Sequence, residues 1–201
     1  MLDAIEKPIA PITPLLPTTG RSAASLTPAG WSRECEATGD LDRDGRPDLA
    51  LILVSADGGH RMLATGRGTP QGFRKIGEAS LPLNPARPAE ISINDKGVLT
   101  VDDEVGEESA IRTTYRFRYE AQSGRVRLAG LDVAHFSRTG AHDTTKVSIN
   151  FATGERVDQL EKLEADGTFT TQKARRRKGR PAVLYMESTP APDTVLGLKT
   201  A

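Results

Sequence analysis

One cysteine in 201 residues, Cys35, excludes any disulfide within the chain. No activating neighbour is visible beside it, so it reads as a small strand residue rather than a nucleophile. Histidine is nearly as scarce: His60, His135 and His142 are the only three. No second histidine stands at ligand spacing from His142, so a loop metal site there is not expected. Asp132, His135 and Ser137 lie close in sequence, but strand alternation sends Asp132 and His135 to opposite faces, and no catalytic triad is read. Aromatic residues make up only 4% of the chain. No apolar run is long enough to span a bilayer. The first seven residues lack the basic start and apolar core of a secretory signal. Lys and Arg together number 27, as do Asp and Glu, so the net charge is zero. No whole-molecule field therefore points to nucleic acid or to a membrane.

Glycine and proline are plentiful, at 19 and 13, which fits many short strands joined by turns. The densest chemistry lies at residues 40–48, where Asp40, Asp42, Asp44 and Asp48 stand at positions one, three, five and nine. Alternate spacing lets the first three carboxylates converge on one side of a curling backbone. Gly45 follows where a sharp turn favours a residue without Cβ. The carbonyl of Arg46 can add an oxygen, and Asp48 closes the ring. That many hard oxygens suits a structural Ca²⁺. The opening rhythm is that of an EF-hand loop, but the distal Glu and flanking amphipathic helices are missing. The alternative is an Asp/Gly turn without metal, since both residues supply turn geometry unaided.

Residues 1–20, punctuated by Pro8, Pro11, Pro14 and Pro17, read as a Pro-rich arm or linker. Residues 21–187 read as one all-β domain of about ten short antiparallel strands, β-propeller-like or a twisted sandwich, and 188–201 as a tail. A short helical turn is expected at 21–26 with Ser22 as its cap, and Trp31 as a core anchor. Residues 49–54 form a continuous apolar run, read as a buried strand. Gly66, Gly68, Pro70 and Gly72 predict a loop, and 161–165 a helical curl. Residues 102–108 carry Asp102, Asp103, Glu104, Glu107 and Glu108 around Gly106. They read either as a solvated hairpin tip or as a partner-binding loop. The basic run at 173–180 lacks interleaved aromatics and reads as a solvated loop.

Several pieces in order carry a family resemblance. They are Pro-Ala-Gly-Trp at 28–31, Gly-Asp-Leu-x-x-Asp-Gly-x-Pro-Asp-Leu-Ala-Leu at 39–51 and Tyr-x-Phe-Arg-Tyr at 115–119. Gly-Arg-x-Arg-Leu-x-Gly-x-Asp at 124–132 and Thr-x-Val-x-x-Asn-x-x-Thr-Gly at 145–154 complete the series. The series resembles bacterial periplasmic (lipo)proteins with a single FG-GAP/VCBS-like calcium loop. That family includes immunity proteins of antibacterial type IV secretion effectors, similar in topology to I-type lysozyme inhibitors. The resemblance implies a protein without enzymatic activity that binds and inhibits a cognate secreted toxin, a peptidoglycan (lysozyme-like) hydrolase. It also implies a periplasmic location, with a signal or lipid-anchor segment outside the sequence given. Two features depart from the pattern. The 102–108 segment is acidic and lacks an aromatic, and no anchor cysteine stands near the N-terminus. The alternative from another class is a non-inhibitory periplasmic or surface module that binds protein or glycan and holds a structural calcium.

Overall fold

The computed structural model describes residues 16–198; Pro8, Pro11 and Pro14 of the expected arm lie outside them. An N-terminal sheet holds β1 (Thr19–Gly20), β2 (Trp31–Gly39), β3 (Asp48–Ser55), β4 (Arg61–Thr69) and β5 (Gly72–Ser80), in the order β1-β5-β4-β3-β2. A second sheet holds β6 (Glu90–Ile93), β7 (Val98–Val105), β8 (Ser109–Glu120), β9 (Arg125–Ser137), β10 (Thr144–Asn150), β11 (Glu155–Leu163) and β12 (Phe169–Thr171), each beside the next. β13 (Arg175–Lys178) adds to β11, and β14 (Leu184–Tyr185) to β9. Two short helices, α1 (Ala23–Leu26) and α2 (Pro192–Leu196), lie outside the sheets. The domain is all-β. Both sheets are antiparallel and, among the described residues, neither closes into a barrel. Two packed sheets, rather than repeated blades, make the twisted sandwich the description that fits.

The sheets meet over one core. Ile52 and Leu63 face Leu99, Val101, Tyr115, Phe117, Leu128 and Leu131, all buried. Each such side chain contributes roughly 1.5–3 kcal/mol of transfer free energy. A second cluster lies on the opposite face of the N-terminal sheet. There Leu49, Leu51, Leu53 and Met62 are covered by Leu16 and by Leu26 of α1. β3 is therefore buried on both faces, which explains why residues 49–54 are uniformly apolar instead of alternating. Trp31 is half-buried at the edge of this second cluster and stacks on His60. The second sheet keeps a polar outer face, where Arg116 pairs with Asp132 (2.7 Å) and Ser148 donates to the same carboxylate (2.6 Å).

Four expectations change. The loop predicted from Gly66 and Gly68 is the C-terminal half of β4, and the true turn is at Pro70 and Gln71. Residues 161–163 pair in β11 with β12 instead of curling into a helix. The basic run is not a loose loop at its centre: β13 pairs with Glu155 to Asp158 of β11, and Arg176 and Arg177 pair with Glu155 and Asp158. Within the stretch read as a tail, α2 buries Pro192 and Val195.

Candidate functional site

The aspartate loop joins β2 to β3, and the geometry follows from its backbone. Arg43 (φ 63°) and Gly45 (φ 84°) both take left-handed conformations, which curl the chain inside its own carboxylates. Asp40 accepts from the N–H groups of Asp44 (3.0 Å) and Gly45 (2.9 Å). Asp42 accepts from Asp44 N–H (3.1 Å), and Asp44 from Arg46 N–H (2.9 Å). Asp48 is fully buried. Its Oδ2 accepts from Leu41 (2.7 Å) and Asp42 (3.1 Å), and its Oδ1 from Gly68 N–H of β4 (2.7 Å). Gly68 must be glycine because a Cβ there would lie 2.3 Å from the carbonyl of Pro47. From the other side, Gly97 in the β6–β7 turn sits where a Cβ would come 2.7 Å from the carbonyl of Leu41. The loop is thus wedged between a strand of one sheet and a hairpin of the other.

Asp40, Asp42 and Asp48 each offer a carboxylate oxygen within 4.8 Å of the others. Burial pushes the Asp48 carboxyl up, and the Asp42 charge adds to this, against the N–H bonds that lower it. Asp42 Oδ2 is buried and ion-paired with Arg67 Nε. Arg67 Nη2 reaches Asp44 Oδ2 at 3.0 Å, so one guanidinium spans both carboxylates. The donor chemistry fits a hard divalent cation, since all three converging groups offer carboxylate oxygens, and the Arg67 guanidinium holds the place against Asp42 that such a charge would take. Of the five expected ligands, three converge. Asp44 turns to Arg67, and Arg46 is held to the loop through its N–H.

The acidic segment is split by its secondary structure. Asp102, Asp103 and Glu104 belong to β7, and only Gly106, Glu107 and Glu108 form an exposed tip. Asp102 accepts from Thr114 on the neighbouring strand. Asp103 is buried against Arg61 of β4, at 2.8 and 3.0 Å. Arg61 also donates to Glu34 twice at 2.7 Å and to Pro82 O at 3.1 Å, so all five of its N–H groups are used. Glu34 reaches inward because β2 shifts register between Arg33 and Cys35. Burial alone would raise its pKa; the Arg61 and Ala89 hydrogen bonds and the Arg61 charge override this and lower it. Glu104 is buried between Arg112 (2.6 Å) and Arg138. Arg138 Nε in turn donates to Glu107 O (2.8 Å), and its N–H to Glu108 O (2.9 Å). The tip is braced from below by a paired, water-poor carboxylate. Beside it a groove of about 1050 Å³ opens, lined by Leu83, Asn84, Arg87, Glu107, Glu108 and Arg138.

Sequence reasoning missed the cluster at the root of the tip. Ser109 Oγ lies 2.7 Å from His135 Nε2 and 3.0 Å from His142 Nε2. The only sequence signal was the rarity of histidine, because a six-residue gap across a loop hides the contact. No helix among the described residues is long and apolar enough to cross a membrane. Comparison with protein-family models, curated proteins and solved structures finds no match for this chain.

Proposed function

We propose that the protein is a periplasmic immunity protein: a calcium-stabilised β-domain that binds a cognate secreted toxin, a peptidoglycan hydrolase, and blocks its cleft without performing chemistry itself. The resemblance in the order of its sequence motifs favours this function over others. The structural observation that carries it is the braced tip. Glu107 and Glu108 stand exposed on a hairpin whose base is held by the buried Glu104 carboxylate and its two partly exposed arginines, Arg112 and Arg138. A rigid recognition element loses little conformational entropy on binding, and its unpaired carboxylates speed encounter with a basic or sugar-binding cleft. The groove beside the tip gives the partner a concavity to fill. Asp102, Asp103 and Glu104 act here as scaffold, and Gly106, Glu107 and Glu108 as the contact.

Calcium would be held by Asp40, Asp42 and Asp48, and its charge would neutralise three crowded carboxylates at the joint between the sheets. Asp44 and the Arg46 carbonyl would complete the proposed ligand set, in competition with Arg67 for Asp42 and Asp44. Inhibition is the decisive test. The chain, in calcium buffer, is added to a panel of secreted bacterial cell-wall hydrolases, and clearing of a peptidoglycan suspension is followed. The expected result is stoichiometric arrest, relieved in the Glu107→Lys/Glu108→Lys variant. Binding without arrest supports the non-inhibitory module instead, and absence of binding overturns both.

A further inference from the structure

Two histidines and a serine meet at the root of the tip. His135 is on β9, His142 is in the loop before β10, and Ser109 opens β8. The imidazoles stack with centroids 4.5 Å apart and planes inclined by 19°. Both Nε2 atoms face the same hydroxyl, at 2.7 and 3.0 Å. A hydroxyl has one hydrogen, so it can donate to only one of them. His142 Nδ1 is 2.7 Å from the carbonyl of Asp143. A carbonyl only accepts, so Nδ1 carries the proton, and the neutral ring presents a lone pair at Nε2. An imidazole held by a backbone carbonyl on its far nitrogen is the outer-shell arrangement that orients metal-binding histidines. The loop that carries it is itself pinned, since Asp143 accepts from Leu163 N–H at 2.8 Å. All three side chains are at least partly open to solvent, which gives an ion an entry path.

We infer that His135 and His142, with the Ser109 hydroxyl, form a binding site for an imidazole-seeking transition-metal dication of the Zn²⁺ class. It is separate from the aspartate loop, whose all-oxygen donors suit a hard cation instead. Two imidazole nitrogens and one hydroxyl leave at least one position of a tetrahedral ion for water or a partner's side chain. The ion would be held by the two Nε2 lone pairs and a lone pair of the hydroxyl oxygen, which keeps its hydrogen. Each ring must present an unprotonated Nε2 to bind. Ser109 directly follows Glu108, so an ion here would stiffen the base of the tip.

The test uses the full chain, stripped with chelator and returned to calcium buffer, titrated with Zn²⁺ alone in a calorimeter and with Co²⁺ in a spectrophotometer. The expected result is one saturable equivalent of Zn²⁺, with Co²⁺ giving the visible bands of a four- or five-coordinate site. His135→Gln and His142→Gln should each weaken binding by at least about tenfold, with unchanged circular dichroism. Asp42→Asn should leave it unaltered. Equal Zn²⁺ affinity in the parent and both histidine variants overturns the site, as does absence of binding at millimolar Zn²⁺. No toxin enters the assay, so its outcome is independent of the inhibitory function.

Discussion

Arg61 is the side chain on which the joint between the sheets most depends. It is 1% exposed and pairs with Glu34 and Asp103 from two other strands. Arg61→Met leaves the buried Asp103 and the mostly buried Glu34 without their shared partner. The expected cost is ~3–5 kcal/mol, read from urea unfolding. A loss below ~1 kcal/mol would mean the cluster is solvated like a surface pair. Replacing all three residues with apolar ones of similar size should recover most of the loss. Beside them, Cys35 is half-buried, and its thiol is pushed up to about 11 by burial and by the Glu34 charge. It should stay unreactive to a thiol reagent at pH 8 until denaturant is added; rapid native labelling would contradict that environment. Spacing made Asp40, Asp42 and Asp48 legible as a cluster, but Asp44, at the same alternate spacing, turns to Arg67, a residue distant in sequence. Glu34 was not legible, because its inward turn depends on a register shift between Arg33 and Cys35 that no periodicity announces.

At the scale of elements, turns and apolar alternation located most strands, and the misplacements share a cause. Gly66 and Gly68 look like loop residues, yet β4 needs them for close approach to Phe73 and to the Pro47 carbonyl. The run of acidic residues at 102–108 looks solvated, yet partners far apart in sequence pull Asp103 and Glu104 inward. The tip and its base should therefore separate by mutation. Glu104→Ala should lower the melting temperature, whereas Glu107→Lys/Glu108→Lys should leave it within a degree or two. Acid should unpick the same elements. Burial alone would raise the pKa of Glu34 and of Glu104, but the arginine partners outweigh it and lower both. Their stabilising contribution is whole above the unfolded glutamate value of about 4.3 and is lost as pH falls through the lower folded values. The urea midpoint should fall between pH 5 and pH 3, less so in Glu34→Gln. A midpoint that rises on acidification would contradict those shifts.

Over the whole molecule, the aspartate loop is the place where a small ion can act on both sheets at once. It touches β4 through the Asp48–Gly68 bond and packs against the β6–β7 turn. In the structure, Arg67 supplies the positive charge there. Arg67→Gln should therefore tighten calcium binding several-fold. Unchanged affinity with lower stability would mean that the guanidinium is the loop's permanent partner. The most direct measurement is the melting temperature of the parent and Asp42→Asn, each in millimolar Ca²⁺ and in chelator. A clasped loop predicts a rise of roughly 5–10 °C with calcium in the parent and little or none in Asp42→Asn. Melting curves of the parent that superimpose with and without calcium would contradict it.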